Sequence, residues 1–85
     1  MKAIVYPNIG NVKLQSTPEP DLLSDHVLIS TKASGICYTD IEIMKGHYGE
    51  STFPLIPGHE FAGVVIATGK DVNRYSEGDR VVVDP

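Results

Sequence analysis

Three residues of this chain carry side chains that commonly bind metal ions. Cys37 is the only cysteine, and His59 and Glu60 follow it in the run Pro57-Gly58-His59-Glu60. A thiolate, an imidazole and a carboxylate together suit a zinc ion, and a zinc site that keeps one position open for water or substrate is catalytic rather than structural. The pattern therefore predicts a catalytic zinc site formed by Cys37, His59 and Glu60.

Each of these residues also has an ordinary structural interpretation. A single cysteine is most often a small buried hydrophobic residue, and a single histidine is more often a structural or surface residue. Glu60 alone would be a solvated carboxylate. Context favours metal binding, because Cys37 precedes a predicted helix start, where amide dipoles stabilise a thiolate. Glu60 adjoins an apolar strand, where an unpaired charge would be costly.

Two polar residues close to Cys37 have two interpretations each. Asp40 either complements the dipole of the predicted helix from its first turn or accepts the second ring N–H of a metal-bound histidine. Thr39 is either the helix N-cap, forming a capping box with Glu42, or a hydroxyl that hydrogen-bonds a metal-bound alcohol and takes its proton. The sequence leaves both pairs of roles open.

The elements before Cys37 are predicted to be strands. Lys2–Tyr6 and Val12–Leu14 alternate around a turn-like cluster and predict an opening hairpin. Two prolines make 17–21 a loop. His26–Ala33 predicts a half-buried strand with alternating faces. Ser34-Gly35 ends it and leads to Cys37.

The elements after Cys37 begin with a short helix that ends at Gly46 and has Thr39 as its predicted N-cap. A loop over 47–57 follows. Phe61–Thr68 is apolar and β-branched, which predicts a strand buried on both faces, with a bulge or close backbone approach at Gly63. Turns are predicted at 69–71 and 77–79, and a last strand over Arg80–Val83 ends against Pro85.

Composition limits the classes of function. The chain has 85 residues and a net charge of −4, so we expect one small domain and no nucleic-acid partner, since no basic stripe is present. One cysteine cannot form an internal disulfide. No signal-peptide pattern occurs, and no apolar run approaches the roughly 20 residues that span a bilayer. We therefore expect a cytoplasmic protein without a membrane partner.

Three motifs occur together in a specific order and carry a family resemblance. They run from Gly35 to Asp40, from Pro57 to Val65 and from Gly78 to Pro85. They resemble the N-terminal catalytic domain of the zinc-dependent medium-chain alcohol and polyol dehydrogenases. The resemblance implies a mainly β fold, a GroES-like antiparallel β-barrel with a short helix. It also implies that residues 1–85 are the N-terminal part of the zinc-binding catalytic domain, truncated before the Rossmann domain that binds NAD or NADP.

The resemblance also implies roles for the residues of the three motifs. Cys37 and His59 correspond to catalytic zinc ligands, and Glu60 to a residue near the zinc that can bind it directly. Thr39 corresponds to the substrate-side hydroxyl of a proton relay, and Asp40 to a residue supporting the ligands. The implied reaction is hydride transfer from a small alcohol or polyol to NAD or NADP, with zinc polarising the substrate oxygen. The parent protein is expected to be a homo-oligomer.

Two features depart from the full family pattern. Glu42 stands where many members have a histidine, so we expect the proton to leave through Glu42, His47 or water. The resemblance implies that the remaining zinc ligand and the cofactor-binding domain lie beyond Pro85, and no Gly-x-Gly-x-x-Gly occurs here. The fragment alone is expected to be inactive. His47, Tyr48 and Phe53 either line a substrate pocket or anchor a loop.

Two alternatives come from other classes of protein. A zinc-free reductase of the quinone-reductase type would keep the fold but would not use Cys37 together with His59-Glu60. A non-catalytic GroES-like module would act through protein contacts. Cobalt substitution separates the metal-binding interpretation from this last one.

Overall fold

The computed structural model describes residues 1–49 and 51–84 and contains two compact units. The first unit comprises residues 1–19 and 36–58, and the second comprises residues 20–35 and 59–85. Five strands and one helix follow in chain order: β1 (Lys2–Val5), β2 (Lys13–Ser16), β3 (Val27–Ser34), α1 (Tyr38–Met44), β4 (Phe61–Thr68) and β5 (Arg80–Val83). All strand pairs are antiparallel. The predicted mainly β class with one short helix is confirmed.

The first unit begins with the predicted hairpin. β1 and β2 pair in a register that opposes Lys2 to Ser16 and Val5 to Lys13. Tyr6 leaves this sheet and forms a separate two-residue bridge with Leu55, with N···O distances of 2.8 and 3.0 Å. The bridge connects the hairpin to the loop that follows α1, because two polar backbone groups on each residue find partners there.

The helix begins earlier than the sequence pattern predicted. Its N-cap is Cys37, in an extended conformation, so the prediction of Thr39 as N-cap is wrong. The reason is that the Asp40 carboxylate reaches back to the backbone N–H of Cys37 at 3.0 Å, the contact assigned to Glu42 in the predicted capping box. Gly46 follows the C-cap with φ of +78°, so the predicted glycine stop is confirmed.

The second unit is a three-stranded sheet in the order β3-β4-β5. The predicted alternation of burial along β3 is wrong, because Val27–Ser30 are all half-buried and Thr31–Ser34 are all exposed. Two register shifts interrupt the pairing of β3 with β4, one between Leu28 and Ile29 and one between Thr31 and Ala33. The first shift leaves Ile66 of β4 without a partner and the second leaves Lys32 of β3 without one, so the two-residue period of β3 is interrupted at Lys32.

The residues of the central strand β4 are buried or half-buried, with one exception. Ile66 has no register partner on β3 and is 51% exposed, so burial on both faces is wrong at this position. Gly63 is buried, and a Cβ at this position would lie 2.2 Å from the carbonyl oxygen of Ser30. The predicted close backbone approach is confirmed, and the nearby bulge lies in β3 rather than at Gly63.

Both predicted turns of the second unit are present. A Cβ on Gly69 would lie 2.2 Å from the carbonyl oxygen of Leu23, and Gly78 has φ of +92°, so each turn uses a property specific to glycine. β5 follows the second turn as predicted, while Pro85 lies outside the described residues. No helix in the described residues is long and apolar enough to cross a membrane.

Candidate metal centre

Cys37 lies at the point where the chain enters α1. Its side chain is half-buried, and its Sγ lies 3.6 Å from Oγ1 of Thr39, which is also half-buried. In the neutral form the thiol donates to this hydroxyl, whereas a thiolate accepts a hydrogen bond from it. Donation to the charged sulfur favours the thiolate, which is the form that binds metals. The structure thus brings together two of the residues that the sequence singled out.

Asp40 fixes the turn that carries Cys37. It is 5% exposed, and its Oδ2 accepts the hydrogen bond from the Cys37 N–H. Its backbone carbonyl accepts a second hydrogen bond, from the hydroxyl of Tyr6 at 3.2 Å. The carboxylate is therefore at the helix start, as predicted, and it has a definite contact there with the backbone of the cysteine.

Tyr6 is a supporting residue that the sequence analysis missed. It is 6% exposed at the end of the opening hairpin. Burial, followed by the nearby charge of Asp40, raises the pKa of its phenol, so the hydroxyl remains a donor. The signal that could have revealed it is its polar tip, because a buried tyrosine hydroxyl usually has a hydrogen-bond partner.

His59 and Glu60 lie between a glycine turn and β4. Gly58 has φ of +115°, a conformation that favours glycine, and it directs the chain into His59. His59 is half-buried and the side chain of Glu60 is exposed. The backbone carbonyl of Glu60 accepts a hydrogen bond from the N–H of Gly35 at 2.8 Å, which extends the pairing of β3 and β4 by one step.

Gly35 lies close to Glu60 within the second unit. A Cβ on Gly35 would lie 3.5 Å from Oε2 of Glu60. The end of β3 therefore lies beside the side chain of Glu60.

The donor types of Cys37, His59 and Glu60 are suitable for a divalent metal ion, since each residue offers one ligand atom. A thiolate and an imidazole favour zinc over magnesium or calcium, which prefer oxygen ligands. Zinc also binds carboxylate oxygens. The set thus fits a zinc ion better than magnesium or calcium.

A separate polar cluster lies on α1 and the residues after it. Oε2 of Glu42 lies 3.2 Å from Nδ1 of His47, with 27% and 65% of the two side chains exposed. A hydrogen bond from Tyr38 is the main cause that lowers the pKa of Glu42, and contacts with His47 and Lys45 lower it further against a smaller opposing effect of burial. The sequence named Glu42 and His47 but gave no indication that they pair.

The other two aromatic residues proposed to line a substrate pocket differ in their exposure. Tyr48 is 56% exposed, and its carbonyl accepts a hydrogen bond from Ser51, whereas Phe53 is half-buried. Residue 50 of the same loop lies outside the described residues. The choice between a pocket lining and a loop anchor stays a prediction.

A protein-family model described as the alcohol dehydrogenase GroES-like domain matches residues 23–85. The chain belongs to this family. The resemblance inferred from its three motifs is therefore confirmed. The matched residues include α1, which follows Cys37, and β4, which follows His59 and Glu60.

Three known proteins illustrate the relationships of this alcohol dehydrogenase GroES-like domain. D-altritol 5-dehydrogenase of Agrobacterium fabrum is 48% identical over 85 residues, which are all of this chain and 25% of that protein. Zinc-dependent alcohol dehydrogenase 2 from Streptococcus pneumonia has a similar structure, with a TM-score of 0.90 and 29% identity over 96% of this chain and 24% of that one. Quinone oxidoreductase of Escherichia coli, complexed with NADPH, has a TM-score of 0.89 and 28% identity over 96% of this chain and 26% of that one.

These comparisons describe one part of longer proteins. The chain spans a quarter of the length of the curated polyol dehydrogenase relative that it matches along its whole length. Both a zinc-dependent dehydrogenase and a quinone oxidoreductase share the fold at nearly the same TM-score. The backbone alone therefore does not distinguish a zinc-dependent dehydrogenase from a quinone oxidoreductase. The side chains of the candidate site must do so.

Proposed function

We propose that this chain forms part of the catalytic domain of a zinc-dependent, NAD(P)-linked dehydrogenase that oxidises a small alcohol or polyol. The observation that carries the proposal is the donor set of Cys37, His59 and Glu60 on a GroES-like dehydrogenase domain. Support for the substrate class comes from the similarity to a D-altritol 5-dehydrogenase along the whole chain.

In the proposed site Cys37, His59 and Glu60 hold the zinc, which supplies Lewis-acid polarisation of a substrate oxygen. NAD or NADP would supply the hydride acceptor. The hydroxyl of Thr39 hydrogen-bonds the alcohol and takes its proton, a role supported by its position 3.6 Å from the thiol of Cys37.

Asp40 has a supporting role in this proposal. Its carboxylate holds the backbone of Cys37 in the extended conformation from which the side chain leaves the helix. We also assign to it the second ring N–H of His59, since a metal-bound histidine usually donates that proton to a carboxylate or a carbonyl. This contact would fix the ring tautomer and leave the other nitrogen free to bind zinc.

A zinc-free quinone reductase would have the same fold but would not use the metal-binding side chains of Cys37, His59 and Glu60. A reductase that works without zinc needs neither a thiolate nor the adjacent imidazole and carboxylate. The non-catalytic module likewise has no use for a half-buried cysteine beside a hydroxyl. Metal binding by Cys37 is therefore the property that separates the three functions.

Cobalt substitution of the full-length protein tests the metal site directly. Cobalt(II) bound by a thiolate gives a charge-transfer absorption in the near ultraviolet, and we expect this band in the wild type and its loss in Cys37→Ser. His59→Gln should weaken cobalt binding, whereas the matched control His26→Gln, which alters an exposed histidine beside Asp25, should not. A wild type without the band, or a Cys37→Ser variant that keeps it, would contradict the proposed ligand set.

An activity assay tests the substrate class. The zinc-loaded protein should reduce NAD⁺ or NADP⁺ when a secondary alcohol or polyol is added, and Cys37→Ser should abolish this activity. Quinone-dependent oxidation of NADPH that survives Cys37→Ser would instead favour the zinc-free reductase.

A further inference from the structure

We propose that the opening hairpin positions the side chains of Cys37 and Thr39 by holding α1 at both of its ends. The inference rests on the proposed function, in which Cys37 is a metal ligand and Thr39 is the hydroxyl on the substrate side. Tyr6 and Gly10 are the hairpin residues that contact the helix. They act through the backbone of α1, so they are positioning residues rather than catalytic ones.

The first contact lies at the start of α1. The hydroxyl of Tyr6 donates to the backbone carbonyl of Asp40 at 3.2 Å, and Oδ2 of Asp40 accepts the N–H of Cys37 at 3.0 Å. Asp40 thus connects the hairpin, through its backbone, to the cysteine, through its side chain. Tyr6 is 6% exposed and Asp40 is 5% exposed, so water has little access to replace these hydrogen bonds.

The second contact lies at the end of α1. Met44 is the last residue of the helix, and its carbonyl accepts a hydrogen bond from the N–H of Gly10 at 2.8 Å. The carbonyls of the last helical turn have no partner within the helix, so this bond satisfies one of them. Gly10 lies in the turn between β1 and β2 with φ of +82°, a conformation that favours glycine.

The length of α1 makes these contacts important. The helix has seven residues, and isolated helices shorter than about 12 residues are only marginally stable in water. Thr39 is the second residue of this helix, so the 3.6 Å distance from its Oγ1 to Sγ of Cys37 depends on the first turn staying folded. Contacts that keep α1 folded therefore keep the hydroxyl beside the thiol.

The hairpin has an anchor that does not depend on the hydroxyl of Tyr6. The backbone N–H and carbonyl of Tyr6 both bond to Leu55, with N···O distances of 2.8 and 3.0 Å. Removal of the hydroxyl therefore releases the start of α1 without releasing the backbone of the hairpin. Tyr6→Phe is thus a specific test of the contact with the helix.

The positioning of Cys37 has a consequence for metal affinity. A ligand that the fold already holds in place loses no further conformational freedom when a metal binds. If the turn is open for part of the time, the apparent affinity falls with the fraction that remains closed. Loss of one buried hydrogen bond shifts such an equilibrium toward the open form by about 5-fold.

Hydrogen exchange of the full-length protein measures the opening of α1. In Tyr6→Phe we expect the amides of Cys37 and of the first helical turn to exchange about 5-fold faster, and those of β3, β4 and β5 to be unchanged. Cobalt should bind this variant about 2- to 5-fold more weakly, and the thiolate band should keep its position because the ligands are the same. Tyr75→Phe is the control, because it removes an exposed phenol hydroxyl.

Gly10→Ala tests the second contact. A Cβ on Gly10 meets no atom within 4 Å, so the substitution strains the backbone at φ of +82° without a clash. We expect faster exchange in the last turn of α1 and weaker cobalt binding. Gly78→Ala is the matched control, since Gly78 has φ of +92° and equally open surroundings in the second unit. It should leave the exchange of α1 and the affinity for cobalt unchanged.

The outcomes separate this proposal from the proposed function. Wild-type exchange in α1 and wild-type cobalt affinity in both Tyr6→Phe and Gly10→Ala would overturn the positioning role and leave the dehydrogenase function standing. Faster exchange with unchanged cobalt affinity would also overturn it, because the hairpin would then stabilise the helix without positioning the ligand. A full-length wild type that binds no cobalt would remove both proposals.

Discussion

The hydroxyl of Tyr6 donates a hydrogen bond to the backbone carbonyl of Asp40 at 3.2 Å, and both residues are nearly fully buried. The two residues are 34 positions apart in the chain. Through this contact the opening hairpin supports the turn that carries Cys37, since Asp40 in turn holds the N–H of Cys37. The strand pair at the start of the chain is thus part of the support of the candidate metal centre.

Tyr6→Phe tests this support. The substitution removes one buried hydrogen bond without changing the ring, so we expect the free energy of unfolding to fall by about 1 kcal/mol. Urea denaturation of the wild type and the variant measures the change. Tyr75→Phe is the control, because Tyr75 is 43% exposed and such substitutions usually change stability by less than about 0.5 kcal/mol. Equal effects of the two substitutions would contradict the supporting role of Tyr6.

Replacing Asp40 with Asn and with Ala should have different effects on stability and cobalt affinity. Asn removes only the charge, whereas Ala removes both side-chain oxygen atoms. Asp40→Ala leaves the N–H of Cys37 without its acceptor and should cost about 1–3 kcal/mol of stability. Asp40→Asn keeps one acceptor oxygen and should cost less, yet it should lower cobalt affinity about 10-fold or more if the carboxylate also supports His59. Cobalt titration followed by the thiolate band measures the second effect. Unchanged affinity in Asp40→Asn would remove the proposed contact with His59.

Replacement of Gly63 in the second unit should be costly. A Cβ there would lie 2.2 Å from the carbonyl oxygen of Ser30, so Gly63→Ala forces β3 and β4 apart and should destabilise the protein by about 1–3 kcal/mol or more. Gly35→Ala is the matched control on the same strand pair. Its added Cβ meets only ordinary contacts, the nearest at 3.5 Å from Glu60, and should change stability little. Thermal unfolding of both variants compares them, and a stable Gly63→Ala would contradict the close approach.

The lowered pKa of Glu42 predicts that the stability of the protein depends on pH. Its pKa lies below the ordinary value of 4.5, chiefly because Tyr38 donates a hydrogen bond to the carboxylate. The folded state therefore favours the ionised form, and this stabilisation is complete above pH 4.5 and is lost as pH falls through the lowered pKa. The difference in free energy of unfolding between the wild type and Glu42→Gln should shrink between pH 5 and pH 3, as measured by urea denaturation at each pH.

Glu77→Gln provides the comparison for this titration, because Glu77 lies exposed in the turn before β5. It reports the effect of removing one negative charge without the contacts made by Glu42. A difference for Glu42→Gln that grows as pH falls would contradict the direction of the shift.

Some structural features could be predicted from the local sequence pattern, whereas others depend on tertiary contacts. The strand over Arg80–Val83, the glycine stop at Gly46 and the close approach at Gly63 were predicted from residue type and period alone, since each depends on backbone conformation within a few residues. The N-cap was predicted wrongly because two acidic residues, Asp40 and Glu42, could both reach back to the helix start. The choice between them depended on Asp40 being buried, which the pattern did not reveal.

The sequence by itself determined the family and the donor types of the proposed metal site, because a thiol, an imidazole and a carboxylate in three ordered motifs are properties of residue identity. Tertiary structure alone decided the support of Asp40 by Tyr6, the pairing of Glu42 with His47 and the two register shifts between β3 and β4. These features depend on which side chains meet after the chain has folded. The physical reason is that burial and hydrogen-bond partners across many residues have no periodic signature in the sequence.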